Sequence, residues 1–151
     1  MTVEAFWQEF LQKTGRPAGT KYLDAFHFEL TEKLANELLA LVLAGKKRAT
    51  ASALCSYALE GERLPQKGDP SIVTDWAGEP KCVIETTGVT ILPFKDVTFD
   101  VCKREGEDEC LETWQAGHRR FFIADGKELE YEFTEDLDVL FEDFEVVWKA
   151  E

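Results

Sequence analysis

The apolar residues of this 151-residue chain change their period as the chain proceeds, which limits it to a mixture of helices and strands. Val3, Phe6, Trp7, Phe10 and Leu11 fall at i, i+3, i+4, i+7 and i+8, one helical face. Leu34, Leu38, Leu41 and Val42 repeat that spacing behind Thr31, a good N-cap, and Gly45 sits where such a helix should stop. A second short helix is expected after Thr50, through Leu54 and Tyr57 towards Gly61. Phe26 and Phe28 alternate with His27 and Glu29, which makes His27 a partly exposed strand residue. Ile72–Trp76 and Lys81–Thr90 read as paired strands around the turn Ala77-Gly78, with Gly88 as a bulge. Leu111, Trp114, His118, Phe121 and Phe122 share a helical stripe that Gly126 should end, and Val139 to Trp148 give a closing strand. Without internal repeats or heptads, the order of elements predicts one α+β domain, a small curved sheet with helices around it.

A chain of this length buries roughly 70% of its unfolded surface, enough for a proper core. No apolar run approaches a membrane span, and Glu4 and Glu9 stand where a signal peptide would carry a basic residue. These features predict a cytoplasmic protein without membrane contact. Cys55, Cys82, Cys102 and Cys110 show no CxxC spacing, and only His27 and His118 are available beside them. That pattern predicts reduced thiols, no zinc site and no other metal or cofactor. The net charge is −13, and residues 125–151 hold eleven acids against two lysines. The run from Glu128 to Glu145 reads as a solvated face. A grip on extended duplex DNA wants a broad positive footprint, so such a partner is not expected.

Against that acidity, the stretch LAGKKRATAS, Leu43 to Ser52, is conspicuous for its basic triplet. Its plain reading is structural. Gly45 ends one helix, Lys46 and Lys47 lie near the negative end of its dipole, and Thr50 caps the next helix. It is not a phosphate-binding Walker loop, because Ala40 stands where that motif needs glycine. His118 on its apolar stripe reads as a core histidine, and Lys103 to Asp108 as a solvated loop. Cys102 beside Lys103 and Arg104 has the surroundings of a lowered thiol pKa but no base to serve it.

Four features in linear order resemble the ASCH family. They are the Gly45-x-Lys47-x-x-Thr50 turn after an apolar helix, the Lys67-Gly68-Asp69 turn before strands, Glu105-Gly106 ahead of a Trp-containing helix, and the closing strand FEDFEVVW, Phe141 to Trp148. The resemblance spans roughly residues 25 to 149 and is to the longer branch, which carries an extra N-terminal helix. It divides the chain into residues 1–22, a helix and linker, and residues 23–151, the ASCH-like domain. It implies a small PUA-like β-barrel, related to RNA-binding modules.

A shorter branch of that family includes amidohydrolases that deacylate N4-acetylcytidine with a Lys-x-x-Thr and a later Glu. The matching positions are Lys47, Thr50 and Glu105, while Ser52 replaces an arginine usual in that branch. The resemblance therefore implies a cleft for a nucleoside or short single-stranded RNA, with hydrolysis by these three residues, either of the amide of an acylated nucleoside or of RNA itself. Threonine becomes a nucleophile when a base takes its proton, a task open to a lysine held partly neutral by burial. Glu105 would place a water or shuttle protons, and Arg48 or Arg104 would steady an oxyanion. The alternative is a non-catalytic nucleotide-sensing or RNA-binding module. There Lys46, Lys47, Arg48 and Arg104 would contact the ligand, and Trp76 or Tyr57 would stack on a base. A third reading gives the acidic C-terminal face a basic protein partner.

Overall fold

The computed structural model describes residues 1–151. Twelve residues, Val3–Thr14, form helix α1, started by the Thr2 hydroxyl, which accepts from the Ala5 amide at 3.0 Å. Its apolar stripe buries Phe6, Trp7, Phe10 and Leu11 against Ile72 and Val83 of the sheet. Arg16, just past the helix end, adds an ion pair to Glu85 at 3.2 Å.

The sheet contains β1 (Ala25–Phe26), β2 (Ala49–Ala53), β3 (Pro70–Thr74), β4 (Pro80–Pro93) and β5 (Asp138–Lys149). Their spatial order is β1-β3-β4-β5-β2. β1 runs parallel to β3 and every other pairing is antiparallel, so the sheet is mixed. No ladder joins β1 to β2, and the expected barrel is an open, five-stranded α+β sheet. The long β4–β5 ladder shifts register at Val83/Ile84 and again at Thr86/Gly88, and bulges of this kind bend a sheet. Gly88 thus marks a bulge, as its place in the strand pattern suggested.

Helix α2 (Glu32–Leu43) starts at Thr31 and lays Leu39 and Val42 on Val73, Cys82, Ile84 and Phe144. After β2 comes α3 (Leu54–Leu59), and after β4 the single turn α4 (Phe99–Cys102). Helix α5 (Leu111–Leu129) sends Trp114 and Phe122 into a cluster with Ala53, Phe94, Val139 and Phe141. No helix is long and apolar enough to cross a membrane. All four cysteines are free thiols.

The structure differs from the sequence reading in several places. His27 is exposed and lies just past β1, which is only two residues long. Of the residues assigned to the buried face of α2, only Val42 is buried and Leu34 is exposed, because Ala35 and Leu39 take the buried positions instead. Thr50 does not cap a helix; it lies inside β2, and α3 begins four residues later. The segment ATASA has almost no strand propensity of its own, and its strand comes from the register with β5 that pairs Thr50 with Glu142. The alanines suit this place because Ala49 and Ala53 are fully buried beneath neighbouring elements. Helix α5 also runs past Gly126 to Leu129, where Glu130 turns left-handed at φ 66°. Gly126 is small for another reason: a Cβ there would lie 2.3 Å from the Tyr131 carbonyl oxygen.

Gly106 ties two parts of the chain together. Its φ is +71°, and a Cβ on it would lie 2.1 Å from the Lys46 carbonyl oxygen. Gly106→Ala should therefore destabilise the fold by about 1–3 kcal/mol from backbone strain alone, with more from the clash. Urea denaturation of the variant measures it; unchanged stability would mean that the two segments do not meet this closely.

Candidate active site

The path from α2 into β2 explains how a lysine becomes buried. Gly45 takes φ +77°, and the Lys46 and Lys47 amides both donate to the Leu41 carbonyl at 2.9 and 3.1 Å. The Arg48 amide then donates to the Arg104 carbonyl, and the Arg48 carbonyl accepts from Phe144. Held on both sides, the backbone turns Lys47 inward, with 1% of its surface exposed. This replaces the expectation that Lys47 lies along the end of the helix dipole.

Three acceptors surround the Lys47 ammonium. Nζ donates to the Ala49 carbonyl at 2.8 Å, to Glu105 Oε2 at 3.1 Å and to Glu107 Oε2 at 2.6 Å. All three of its protons are used. Its Nζ also lies 5.2 Å from the centre of the Phe28 ring. Burial pushes Lys47 towards the neutral amine, but Glu105 and Glu107 outweigh that and raise its pKa. The amine is therefore held as a cation, so Lys47 lacks the lone pair that a base requires.

Glu105 is equally enclosed. Its Oε1 accepts from Trp114 Nε1 at 2.8 Å and lies 3.2 Å from His118 Nε2. Burial favours the neutral acid, yet Lys47 and His118 hold Glu105 well below the usual carboxylate range. His118 stacks on Trp114, and its Nδ1 lies 3.0 Å from the Trp114 carbonyl. Both ring nitrogens thus face acceptors, the arrangement of a doubly protonated imidazolium. Although burial works against that charge, Glu105 raises the pKa of His118.

Glu107 behaves differently from its neighbour. Burial and repulsion from Glu105 push it up to about 7, against the pull of Lys47. It is the carboxyl of the group that can take and return a proton near neutral pH. The donor atoms of Glu105, Glu107 and His118 lie within 4.8 Å of one another, a spacing that could hold a metal ion. The cation that the two carboxylates actually face is the Lys47 ammonium.

This cluster lies in a small chamber that adjoins a cleft of about 650 Å³. Phe28, Glu29, Thr50, Ala51 and Phe121 line both spaces. Thr50 therefore stands where the open cleft meets the charged cluster. The structure brings together Lys47, Thr50 and Glu105, and adds Glu107 and His118, which the sequence reading had placed in a solvated loop and in the core.

The other sequence candidates are elsewhere. Lys46 and Arg48 are exposed, and neither lines the cleft or the chamber. Arg104 is tied to Asp143 at 2.6 Å and to the Val101 carbonyl at 3.1 Å. Trp76 does not line the cleft but packs on His27, which does, and Tyr57 lines it directly. Burial pushes the Cys102 thiol up to about 11, the reverse of an activated thiol, with Glu105 adding to the effect.

The ASCH domain pattern matches residues 24–148, most of the chain and all of the site. The chain belongs to the ASCH family. Helix α1 precedes the matched region, as in the longer branch of the family. The fold is similar to an ASCH domain from Lactobacillus crispatus JV V101, at 36% identity and TM-score 0.85 over 96% of this chain and 93% of that one. Protein EF3133 of Enterococcus faecalis V583 is 34% identical, with TM-score 0.89 over 97% of this chain and 88% of that one. A point mutant of ZmASCH from Zymomonas mobilis shares the fold alone, at 12% identity and TM-score 0.50 over 82% of this chain and 69% of that one. No curated protein matches the chain.

Replacing Lys47 with Met strands the Glu105 charge and should lower the unfolding free energy by about 3–5 kcal/mol. Adding Glu105→Gln should recover part of it, with a coupling of roughly 0.5–3 kcal/mol in a urea double-mutant cycle. Additive losses would mean that the two residues do not interact.

The two carboxyls also give opposite pH signatures. Glu105, lowered on folding, stabilises the fold above its ordinary value of 4.5, and that contribution fades as pH falls. Glu107, raised on folding, stabilises below 4.5, and its contribution is lost as pH rises through about 7. Glu107→Gln should flatten the fall in stability between those two pH values, measured by thermal melts across pH.

Proposed function

We propose that this ASCH protein is a hydrolase that cleaves the amide bond of a small acylated ligand, with an acylated nucleoside as the form its family resemblance suggests. The observation that supports it is Thr50 at the junction between a ligand-sized cleft and a carboxyl poised near neutrality. In this reading the Thr50 hydroxyl attacks the amide carbonyl carbon and its proton passes to Glu107. Once neutral, Glu107 loosens its hold on Lys47, whose freed N–H faces the developing oxyanion. The C–N bond breaks, and the leaving amine takes the proton back from Glu107. Water then hydrolyses the acyl-threonine ester, with Glu107 accepting its proton and returning one to the Thr50 oxygen. Lys47 thus serves as a cation in place of the expected base, while Glu105 fixes Lys47 and His118.

A second reading, a non-catalytic ligand-sensing module, is favoured by the complete satisfaction of the cluster. No buried side-chain polar atom lacks a hydrogen-bond partner, so the network can stand as structure alone.

A product assay by liquid chromatography separates the two, using N4-acetylcytidine, other N-acylated nucleosides and simple N-acyl amines. The hydrolase reading expects turnover that Thr50→Ala abolishes and that Glu107→Gln lowers by roughly 10²–10⁴. The wild-type rate should rise with pH on a limb near the Glu107 value of about 7, and that limb should vanish in Glu107→Gln. Binding without turnover would overturn the hydrolase in favour of the sensing module.

A further inference from the structure

The cleft beside the cluster has a chemistry of its own. Its lining includes seven carboxylate residues but only Lys21 and Arg63 as fixed cations. Arg63 is already engaged, donating both guanidinium arms to Asp69 at 2.8 and 2.9 Å. Asp24, Glu62 and Glu142 line the cleft with no such counter-ion, and Asp24 lies near enough to repel each of the other two. Burial and repulsion from Asp69 and Asp24 raise the pKa of Glu142, even though Thr86 donates to it at 2.7 Å. Glu142 pairs across the β2–β5 ladder with Thr50, which puts both side chains on the cleft side of the sheet. Rings of Tyr22, Phe26, Phe28, Tyr57 and Phe121 form an aromatic part of the wall. A volume of about 650 Å³ is that of a small-molecule site.

We infer that this cleft seats a small organic cation, an amine-bearing compound without phosphate, with its charge against Asp24, Glu62 and Glu142 and its carbon chain along the aromatic wall. Aromatic faces attract an ammonium as the carboxylates do, so both parts of the wall favour one ligand class. A phosphate group would face three carboxylates that have no counter-ion, against only Lys21 and the already engaged Arg63. The inference rests on the hydrolase reading only for the other end of the ligand: an N-acylated amine seated this way presents its amide towards Thr50. The cation seat itself is independent of turnover.

The test is isothermal titration calorimetry at low salt with spermidine, N-acetylputrescine, cytidine and cytidine 5′-monophosphate. The amines should bind and the monophosphate should not. Glu142→Gln keeps an acceptor for Thr86 and should weaken amine binding at least tenfold. Glu62→Lys, at an exposed position, should abolish it. Glu132→Gln removes an exposed carboxylate that does not line the cleft and should change nothing, which separates a seat from the general pull of a −13 chain. Monophosphate binding as tight as that of the amines, or equal losses in all three variants, would overturn the inference. Amine binding without cleavage of any amide would sustain the seat and refute the hydrolase. Cleavage of uncharged amides with no amine binding would do the reverse.

Discussion

The Lys47–Glu105 pair joins parts of the chain that otherwise have little reason to meet. Lys47 enters from the turn after α2, and Glu105 from the segment before α5. Neither charge tolerates burial alone: each would face a large desolvation penalty, which the other offsets with help from Glu107 on Lys47 and His118 on Glu105. The backbone reinforces the same junction, with Arg48 donating to the Arg104 carbonyl and Gly106 lying against Lys46. Once the pair is closed, Trp114 and His118 have a fixed acceptor and α5 a fixed orientation. The pair thus acts as a register pin as well as an electrostatic contact.

That arrangement divides the titration among neighbours. Two cations and one carboxylate, Lys47, His118 and Glu105, are favoured in their charged forms by one another, with Glu107 adding to the pull on both cations. Glu107, at the edge of the group, absorbs the frustration and titrates near neutrality. Its proton therefore controls how strongly Lys47 is engaged. Such separation of pKa values among adjacent groups is what acid–base chemistry at a fixed pH requires.

The legible parts of the sequence were those with a period. Helices α1, α2 and α5 and strands β3, β4 and β5 follow from apolar spacing because each presents one face to the core. Strand β2 was hidden, since ATASA carries no alternation and becomes a strand only through β5. Lys47, Thr50 and Glu105 surfaced through the order of motifs, not through any local signal. His118 lay on an apolar stripe that correctly marked it as inward-facing, but its carboxylate partner belongs to a different element. Glu107 sat in the polar run KREGED, where nothing local distinguishes a buried carboxyl from a solvated one. Sequence spacing gives the face of an element; it does not give what that face meets.

The acidic C-terminal segment shows the same limit in another form. Read as composition, residues 125–151 are a solvated surface, and much of the segment is exposed. Yet β5 directs adjacent acids to different tasks. Glu142 faces the cleft and accepts from Thr86, whereas Asp143 pairs with Arg104. Phe141 and Phe144 on either side are buried and fix where those acids point. A strand that alternates its sides can carry core, tie and ligand wall within four residues, because its period is two. The charge that argues against extended nucleic acid at the level of the whole chain is therefore also built into the wall of its cleft. Net charge and local recognition here have one structural source, and any ligand that enters must satisfy both.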